Sequence, residues 1–251
     1  MARPKASPYK SVDDFEKELI SFANKYRIIV AEHSRRISSY FEMSCYNMII
    51  RYYELNGYKA YSKNLISNRF RFKCSPSGLL KNFSYMELSK GNKIFRIYHN
   101  ASVQSAYDTG VYTTPDIVVS EDSDPSITTD YYNSKRKFSY LSNKQMITFC
   151  EAKHIMPFPE LMISFIGTVN ELMPLCLKTN RRRRKETIHI APSLMISGCL
   201  SKPTERIAQS LQRRYYINVL GDLFVEPYSK VFSTTGLQHI STLTSKGIET
   251  E

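Results

Sequence analysis

The 251-residue chain is poor in the residues that mark fibrous, membrane and secreted proteins. It has no Trp, only 9 Gly and 11 Pro, and 42% apolar residues, a composition that excludes collagen-like, linker-like and wholly disordered chains. No apolar run reaches the roughly 18–20 residues of a transmembrane helix, and the N-terminal sequence MARPKASPYK lacks the apolar stretch of a signal peptide. We therefore expect a soluble cytoplasmic protein without a membrane partner.

Motifs for soft metals and disulfides are also missing. The five cysteines are scattered and odd in number, without a C-x-x-C pair, and the five histidines form no H-x-x-x-H pair. These spacings exclude zinc knuckles and thioredoxin-like redox motifs.

Positive charge is what the chain has in excess. It carries 35 Lys and Arg against 23 Asp and Glu, a formal net charge of +12, which favours a polyanionic partner. Seven basic residues are candidates for nucleic-acid binding, although a solvated turn or helix face would give the same pattern for them. They are Arg181, Arg182, Arg183, Arg184, Lys185, Arg213 and Arg214.

Apolar spacing predicts helices in the first quarter of the chain. Residues Ile37, Phe41, Cys45, Met48, Tyr52 and Leu55 recur at intervals of three and four, which predicts a helix over about 30–56 that ends at Asn56-Gly57. A capping box at Ser11 predicts an earlier helix over about 12–26. We interpret residues 1–36 as a helical extension.

Beyond residue 57 the pattern predicts a mixed α/β domain over 37–232. Helices are expected at 159–173 and 204–215, and a polar insertion at 121–144. The Thr/Ser-rich residues 233–251 are expected to be a loosely ordered tail. Alternating or apolar runs predict strands at 58–62, 70–74, 93–98, 113–120, 145–154, 187–197 and 216–224.

One set of residues has the chemistry of a phosphodiester-cleaving site. Pro115-Asp116 opens an apolar strand, and Glu151-Ala152-Lys153 ends another. On neighbouring strands Asp116 and Glu151 can converge, and Lys153, two residues after Glu151, faces the same side. Two carboxylates and the Ala152 carbonyl suit Mg²⁺, and the lysine can orient a water or stabilise charge on a phosphate. The alternative is a turn aspartate and a solvated strand end.

These residues and the order of elements from about 40 to 198 resemble the PD-(D/E)XK nuclease superfamily. The resemblance implies a restriction-endonuclease-like core with a central mixed sheet flanked by helices, Mg²⁺ (or Mn²⁺) bound by Asp116 and Glu151, and a further acidic residue from the first core helix. Glu42 lies at the edge of the buried helical stripe and Glu54 opposite it, so Glu42 is favoured as that residue. The 34 residues between the two motifs make a longer separation than in compact members.

The resulting hypothesis is a Mg²⁺-dependent nuclease, acting as an endonuclease or an exonuclease, that hydrolyses DNA in preference to RNA. The resemblance also suggests a restriction or anti-phage defence setting, with a regulatory partner protein or a homo-oligomer controlling the cutting. A non-catalytic nucleic-acid-binding or assembly protein, and an RNA-cleaving nuclease of the same fold, remain alternatives.

Overall fold

The structure, a computed structural model, describes residue 20, residues 24–25 and the ranges 37–132, 136–178 and 189–223. The structure gives bounds for three α-helices among the described residues, which are α1 (Ile37–Leu55), α2 (Pro159–Leu172) and α3 (Lys202–Arg214). Most of the predicted helix at 12–26 and the predicted tail at 233–251 lie outside the described residues.

The first core helix ends as its sequence predicts. Gly57 has a φ of +82°, a left-handed conformation that glycine adopts without steric cost, and the Asn56 side chain donates a hydrogen bond to the Tyr52 carbonyl at 2.8 Å. The apolar side chains of α1 from Phe41 to Tyr53 are buried, so the helix forms one side of the main core.

A seven-stranded sheet in the order β1-β2-β3-β6-β9-β10-β11 forms the centre of the domain. Its strands are β1 (Lys59–Lys63), β2 (Tyr85–Lys90), β3 (Lys93–His99), β6 (Ile117–Glu121), β9 (Met146–Lys153), β10 (Ser193–Ile196) and β11 (Asn218–Leu220). Two small two-stranded sheets consist of β4 (Val103–Gln104) with β5 (Tyr112–Thr113) and β7 (Ser126–Thr128) with β8 (Phe138–Tyr140).

Strand direction changes across the sheet at β9. The strands from β1 to β9 pair antiparallel, whereas β9, β10 and β11 are parallel. Helix α2 connects β9 to β10, and α3 connects β10 to β11, because parallel neighbours need a crossover. The domain is therefore mixed α/β, as the sequence predicts.

The two faces of the sheet bury separate apolar clusters. Helix α1 packs on the face that carries Cys150 and Ala152 of β9. Helices α2 and α3 pack on the other face, where Phe149 contacts Phe165 with ring centroids 6.0 Å apart. Successive residues of β9 thus face different helices.

Two strand predictions differ from the structure. Residues 70–74 do not belong to the sheet, although they alternate basic and aromatic side chains, and β2 (Tyr85–Lys90) takes the sheet position instead. The predicted strand at 113–120 is two strands, β5 and β6, separated by Thr114-Pro115-Asp116. The predicted insertion at 121–144 contains the β7–β8 hairpin.

None of the described helices is long and apolar enough to cross a membrane.

Candidate functional site

Asp116 and Glu151 lie opposite each other on neighbouring strands. Strands β6 and β9 pair antiparallel with Ile117 opposite Cys150, so the residue before Ile117 meets the residue after Cys150. Directly opposite residues of an antiparallel pair extend to the same face of the sheet. The sequence prediction that the two carboxylates converge is consistent with this register.

A single ammonium group joins the two carboxylates. The Lys153 Nζ lies 2.8 Å from Asp116 Oδ2 and 2.7 Å from Glu151 Oε2. Two acidic groups directly opposite each other would repel, and the lysine, two residues after Glu151 on the same face, offsets that repulsion. The three predicted site residues therefore form one contact network.

The network shifts the protonation of its members. Burial, and then the neighbouring Asp116 carboxylate, raise the pKa of Glu151 to about 7 against the opposing effect of Lys153. Burial alone would lower the pKa of Lys153, but the carboxylates of Glu151 and Asp116 raise it above its usual value. Lys153 is thus held as a cation beside a carboxyl group that takes up a proton more readily than a free glutamate.

The backbone fixes the position of Asp116. The backbone N–H of Ala152 donates a hydrogen bond to Asp116 Oδ2 at 2.7 Å, and the N–H of Asn100 donates to the Asp116 carbonyl at 2.8 Å. Asp116 is 9% exposed, so these bonds form in a largely desolvated setting. Its carboxylate is held from β9 and its main chain from the end of β3.

A buried lysine supports this end of β3. Lys73 is 2% exposed, and its Nζ donates to the carbonyls of Asn100, Ser75 and Pro76 at 2.6–2.8 Å. Burial lowers the pKa of Lys73 to about 8. Asn100, which leaves β3 with a φ of +49°, returns a hydrogen bond from its amide to the Lys73 carbonyl at 3.0 Å. Lys73 therefore links the long segment between β1 and β2 to Asn100, which in turn contacts Asp116.

Glu42 contacts His99 instead of the carboxylate pair. Its Oε2 lies 3.4 Å from His99 Nε2, and Glu42 belongs to α1, which packs on the face opposite that of Glu151 and Lys153. His99 Nδ1 donates to the Lys73 carbonyl at 2.9 Å.

The donor set fits a hard cation only in part. Asp116, Glu151 and the Ala152 carbonyl offer oxygen ligands of the kind that Mg²⁺ prefers. Within the described ranges, no group of three His, Cys, Asp or Glu side chains is arranged as metal ligands. Glu42 therefore does not join Asp116 and Glu151 in a three-ligand group.

Glu54 has the outward position that helical spacing predicts. Its carboxylate pairs with Arg51 at 3.0 Å and with Lys25 at 2.9 Å. These contacts connect α1 to the helical residues before it and leave Glu54 outside the site.

The predicted nucleic-acid contacts Arg213 and Arg214 lie at the other end of the sheet. They occupy the last turn of α3, which runs back from the site end of β10 to the start of β11. Helix α2 runs the same way, since the Asn143 side chain, just before β9, donates to the Leu172 carbonyl at 2.7 Å. The run Arg181, Arg182, Arg183, Arg184 and Lys185 lies outside the described residues.

The aromatic residues of the insertion pack against one another. The rings of Tyr131 and Phe138 stack with centroids 4.1 Å apart, and Tyr112 meets Phe138 edge-on at 5.1 Å. The guanidinium of Arg136 lies 5.1 Å from the Tyr132 ring centroid. This hairpin packing accounts for the aromatic and basic mixture in the insertion.

Sequence reasoning missed the supporting residues Lys73, His99 and Asn100. The signal for Lys73 was present in Arg69-Phe-Arg-Phe-Lys73, but its alternation also matches a strand, and nothing local shows that the lysine turns inward. The chain matches no known family model, and no curated protein and no solved structure gives a match.

Proposed function

We propose that the chain is a Mg²⁺-dependent nuclease that hydrolyses phosphodiester bonds in DNA. The observation that carries the proposal is the convergence of Asp116 and Glu151 on the Lys153 ammonium at 2.7–2.8 Å. Like-charge pairs with shifted pKa values are typical of functional sites, and the raised pKa of Glu151 fits this pattern.

The order and direction of the elements support a restriction-endonuclease-like core. Helix α1 precedes an antiparallel arrangement of β2, β3, β6 and β9, and α2 then leads to the parallel strand β10. Asp116 immediately precedes β6, and Glu151 and Lys153 lie at the end of β9. These are the positions that the PD-(D/E)XK resemblance implies. Fold alone does not decide activity, so the proposal rests on the site.

Asp116, Glu151 and the Ala152 carbonyl would hold the Mg²⁺ ion (or Mn²⁺). When bound, the ion supplies a Lewis acid that polarises the phosphodiester and lowers the pKa of a coordinated water. The Ala152 N–H keeps Asp116 oriented, and this preorganisation reduces the reorganisation needed during the reaction.

Lys153 has the second role in the proposed hydrolysis. Water oxygen forms a bond to phosphorus, one ester P–O bond breaks, the water loses a proton, and the departing alkoxide gains one. The Lys153 side chain is 37% exposed and can turn its ammonium from the carboxylates toward a bound phosphate. There it stabilises the charge that develops on the phosphoryl oxygens.

The direct test is cleavage of supercoiled plasmid, linear DNA and RNA with Mg²⁺ or EDTA. We expect Mg²⁺-dependent products from DNA, reduced at least about 100-fold by Glu151→Gln because that variant removes the negative charge of a proposed metal ligand. Glu121→Gln, at the exposed far end of β6, is the matched control and should cut normally. Undiminished cutting by Glu151→Gln would contradict the proposed assignment.

A non-catalytic nucleic-acid-binding protein is the second candidate. Lys153 already pairs with both carboxylates, and these ion pairs would then serve as a structural network. The lack of a three-ligand metal group among the described residues also favours this candidate. This candidate expects salt-sensitive binding, no Mg²⁺-dependent products from DNA or RNA, and normal binding by Glu151→Gln.

Control of the cutting is part of the proposal. An unrestrained DNA nuclease would damage its own cell, so we propose regulation by a partner protein or by self-association in a restriction or anti-phage setting. Expression of the parent in a bacterial host without its partner should be toxic, and expression of Glu151→Gln should not. This difference would support the proposed setting.

A further inference from the structure

A cavity of about 460 Å³ opens on the α1 side of the sheet. Its walls come from α1 and from residues 66–83, the long connection between β1 and β2. It is lined by Met43, Ile66, Arg69, Phe70, Arg71, Phe72, Cys74, Ser75, Ser77 and Phe83. The volume lies within the roughly 300–1,000 Å³ range of small-molecule sites.

The lining combines aromatic rings with two cations. Phe70 and Phe72 form an apolar floor that is continuous with the main core, and Phe83 is half-buried at the edge. Arg69 and Arg71 are exposed, and neither forms a salt bridge with a described residue. The Arg71 guanidinium lies 5.3 Å from the Phe83 ring centroid. A planar apolar ligand that carries negative charge would satisfy both kinds of group.

The cavity is connected to the candidate active site through hydrogen bonds. Cys74 and Ser75 of its wall adjoin Lys73, whose Nζ donates to the Ser75 carbonyl at 2.8 Å and to the Asn100 carbonyl at 2.6 Å. Asn100 in turn donates its N–H to the Asp116 carbonyl. Two residues therefore separate the cavity wall from a proposed metal ligand.

We infer that this cavity binds one nucleotide unit, with the base against the Phe83 ring and the apolar floor and a phosphate against Arg69 and Arg71. Aromatic stacking accepts any base, and guanidinium groups bind phosphate with two parallel hydrogen bonds. The nucleotide is either a base of the substrate strand that has left its stack or a free nucleotide. Nucleotide binding itself does not depend on the proposed function; only a role of this cavity in DNA cleavage rests on it.

Binding of a free mononucleotide tests the cavity without any cleavage. Titration calorimetry of the full chain with deoxyadenosine monophosphate should give saturable binding, weakened tenfold or more by Arg71→Ala and by Phe83→Leu. Arg51→Ala is the matched control, because Arg51 is an exposed arginine of α1 that pairs with Glu54 and does not line the cavity. Thermal melting shows whether the variants are folded. If Phe83→Leu is unfolded, the test relies on Arg71→Ala, because Arg71 is exposed and its replacement does not disturb the core.

Two oligonucleotides distinguish the source of the nucleotide. A 12-residue single strand and its abasic counterpart are compared in Ca²⁺, an ion chosen to permit binding without cutting. If the cavity binds a base of the strand, the normal strand should bind more tightly than the abasic strand. This difference in affinity should disappear in Arg71→Ala. A free nucleotide predicts equal binding of the two strands together with saturable mononucleotide binding.

The inference is overturned if the mononucleotide does not bind and Arg71→Ala leaves the affinity for both strands unchanged. It is also overturned if Arg51→Ala and Arg71→Ala weaken binding equally, because the effect would then be one of general charge. Asp116→Ala should bind the mononucleotide like the parent, so loss of cleavage in that variant reports only on the proposed function.

Discussion

At the scale of single residues, the candidate site depends on one cation between two acids. Lys153 touches both Asp116 and Glu151, and removal of one partner from a desolvated ion network leaves charge without compensation. The partial exposure of Lys153 reduces that penalty through solvent screening.

Lys153→Met should therefore lower the free energy of unfolding by about 1–2 kcal/mol in EDTA. Adding Glu151→Gln to this variant should recover most of the loss, because it removes one of the two repelling charges, and neither variant should cut DNA. Urea unfolding of the four proteins in a double-mutant cycle measures the coupling. Strictly additive losses would show that Lys153 does not link the two carboxylates energetically.

The environment of His189 predicts that the free energy of unfolding depends on pH. It is 5% exposed, its Nδ1 lies 2.8 Å from the Tyr53 hydroxyl, and burial, assisted by the Lys93 charge, lowers its pKa to about 4. Because the folded pKa is depressed, stability is fully present above the unfolded pKa near 6.5 and is lost as pH falls toward 4.

The loss assigned to His189 amounts to about 2 kcal/mol between pH 6.5 and 4.5. Urea unfolding of the parent and of His189→Gln across this range measures it, and the parent should show the steeper decline. Parallel curves would mean that His189 protonates equally in the folded and unfolded chains.

At the scale of elements, α3 offers a simple test of local sequence chemistry. Ser201 precedes the helix, and its hydroxyl accepts a hydrogen bond from the Thr204 N–H at 3.4 Å. Ser201→Ala should lower the free energy of unfolding by about 1 kcal/mol, because a side-chain cap satisfies an otherwise unpaired donor. Ser210→Ala, the same change inside the same helix, should be neutral or slightly stabilising in thermal melts. Equal effects would contradict the capping role.

The elements also show how far sequence reasoning reaches. The helix at Ile37–Leu55, the strand at Met146–Lys153 and the adjacency of Asp116 and Glu151 follow from periodicity and local motifs. The strand predicted at 70–74 is wrong, because residues 71–74 form no strand and Arg71, Phe72 and Cys74 line a cavity instead.

Tertiary placement was beyond the same reasoning. A helical wheel gives the direction of Glu42 around α1, but it does not say which face of the sheet the helix covers. Helix α1 covers the face of Cys150 and Ala152, and Glu42 meets His99 there. Likewise, the basic character of Arg213 and Arg214 was visible, but their position depends on the two crossover connections.

At the scale of the whole molecule, the distance between the candidate site and Arg213 and Arg214 predicts that binding affinity depends on the length of the nucleic acid. Helix α3 has 13 residues and spans about 20 Å from the site end of the sheet to Arg213 and Arg214, roughly six base pairs of DNA. Arg213→Gln/Arg214→Gln should weaken binding of a 20-base-pair duplex about fivefold and reduce the salt slope, while leaving binding of a 6-nucleotide strand unchanged.

Fluorescence anisotropy at several salt concentrations measures both effects. The exposed Lys59 of edge strand β1 provides a control, since Lys59→Gln removes a charge at the other margin of the sheet. Equal weakening of the long and short ligands by the arginine variant would show that a bound duplex does not reach from the site to Arg213 and Arg214.

The hydrogen bond from the Ala152 N–H to Asp116 Oδ2 has a consequence for protein synthesis. It joins two segments that leave the ribosome 36 residues apart, and it forms only when β6 and β9 pair. A growing chain that already contains Pro115-Asp116 therefore carries no assembled acidic pair until β9 has emerged and docked. The proposed cutting activity would thus require the pairing of β6 with β9, and a nascent chain, or one that ends before β9, would not cut DNA.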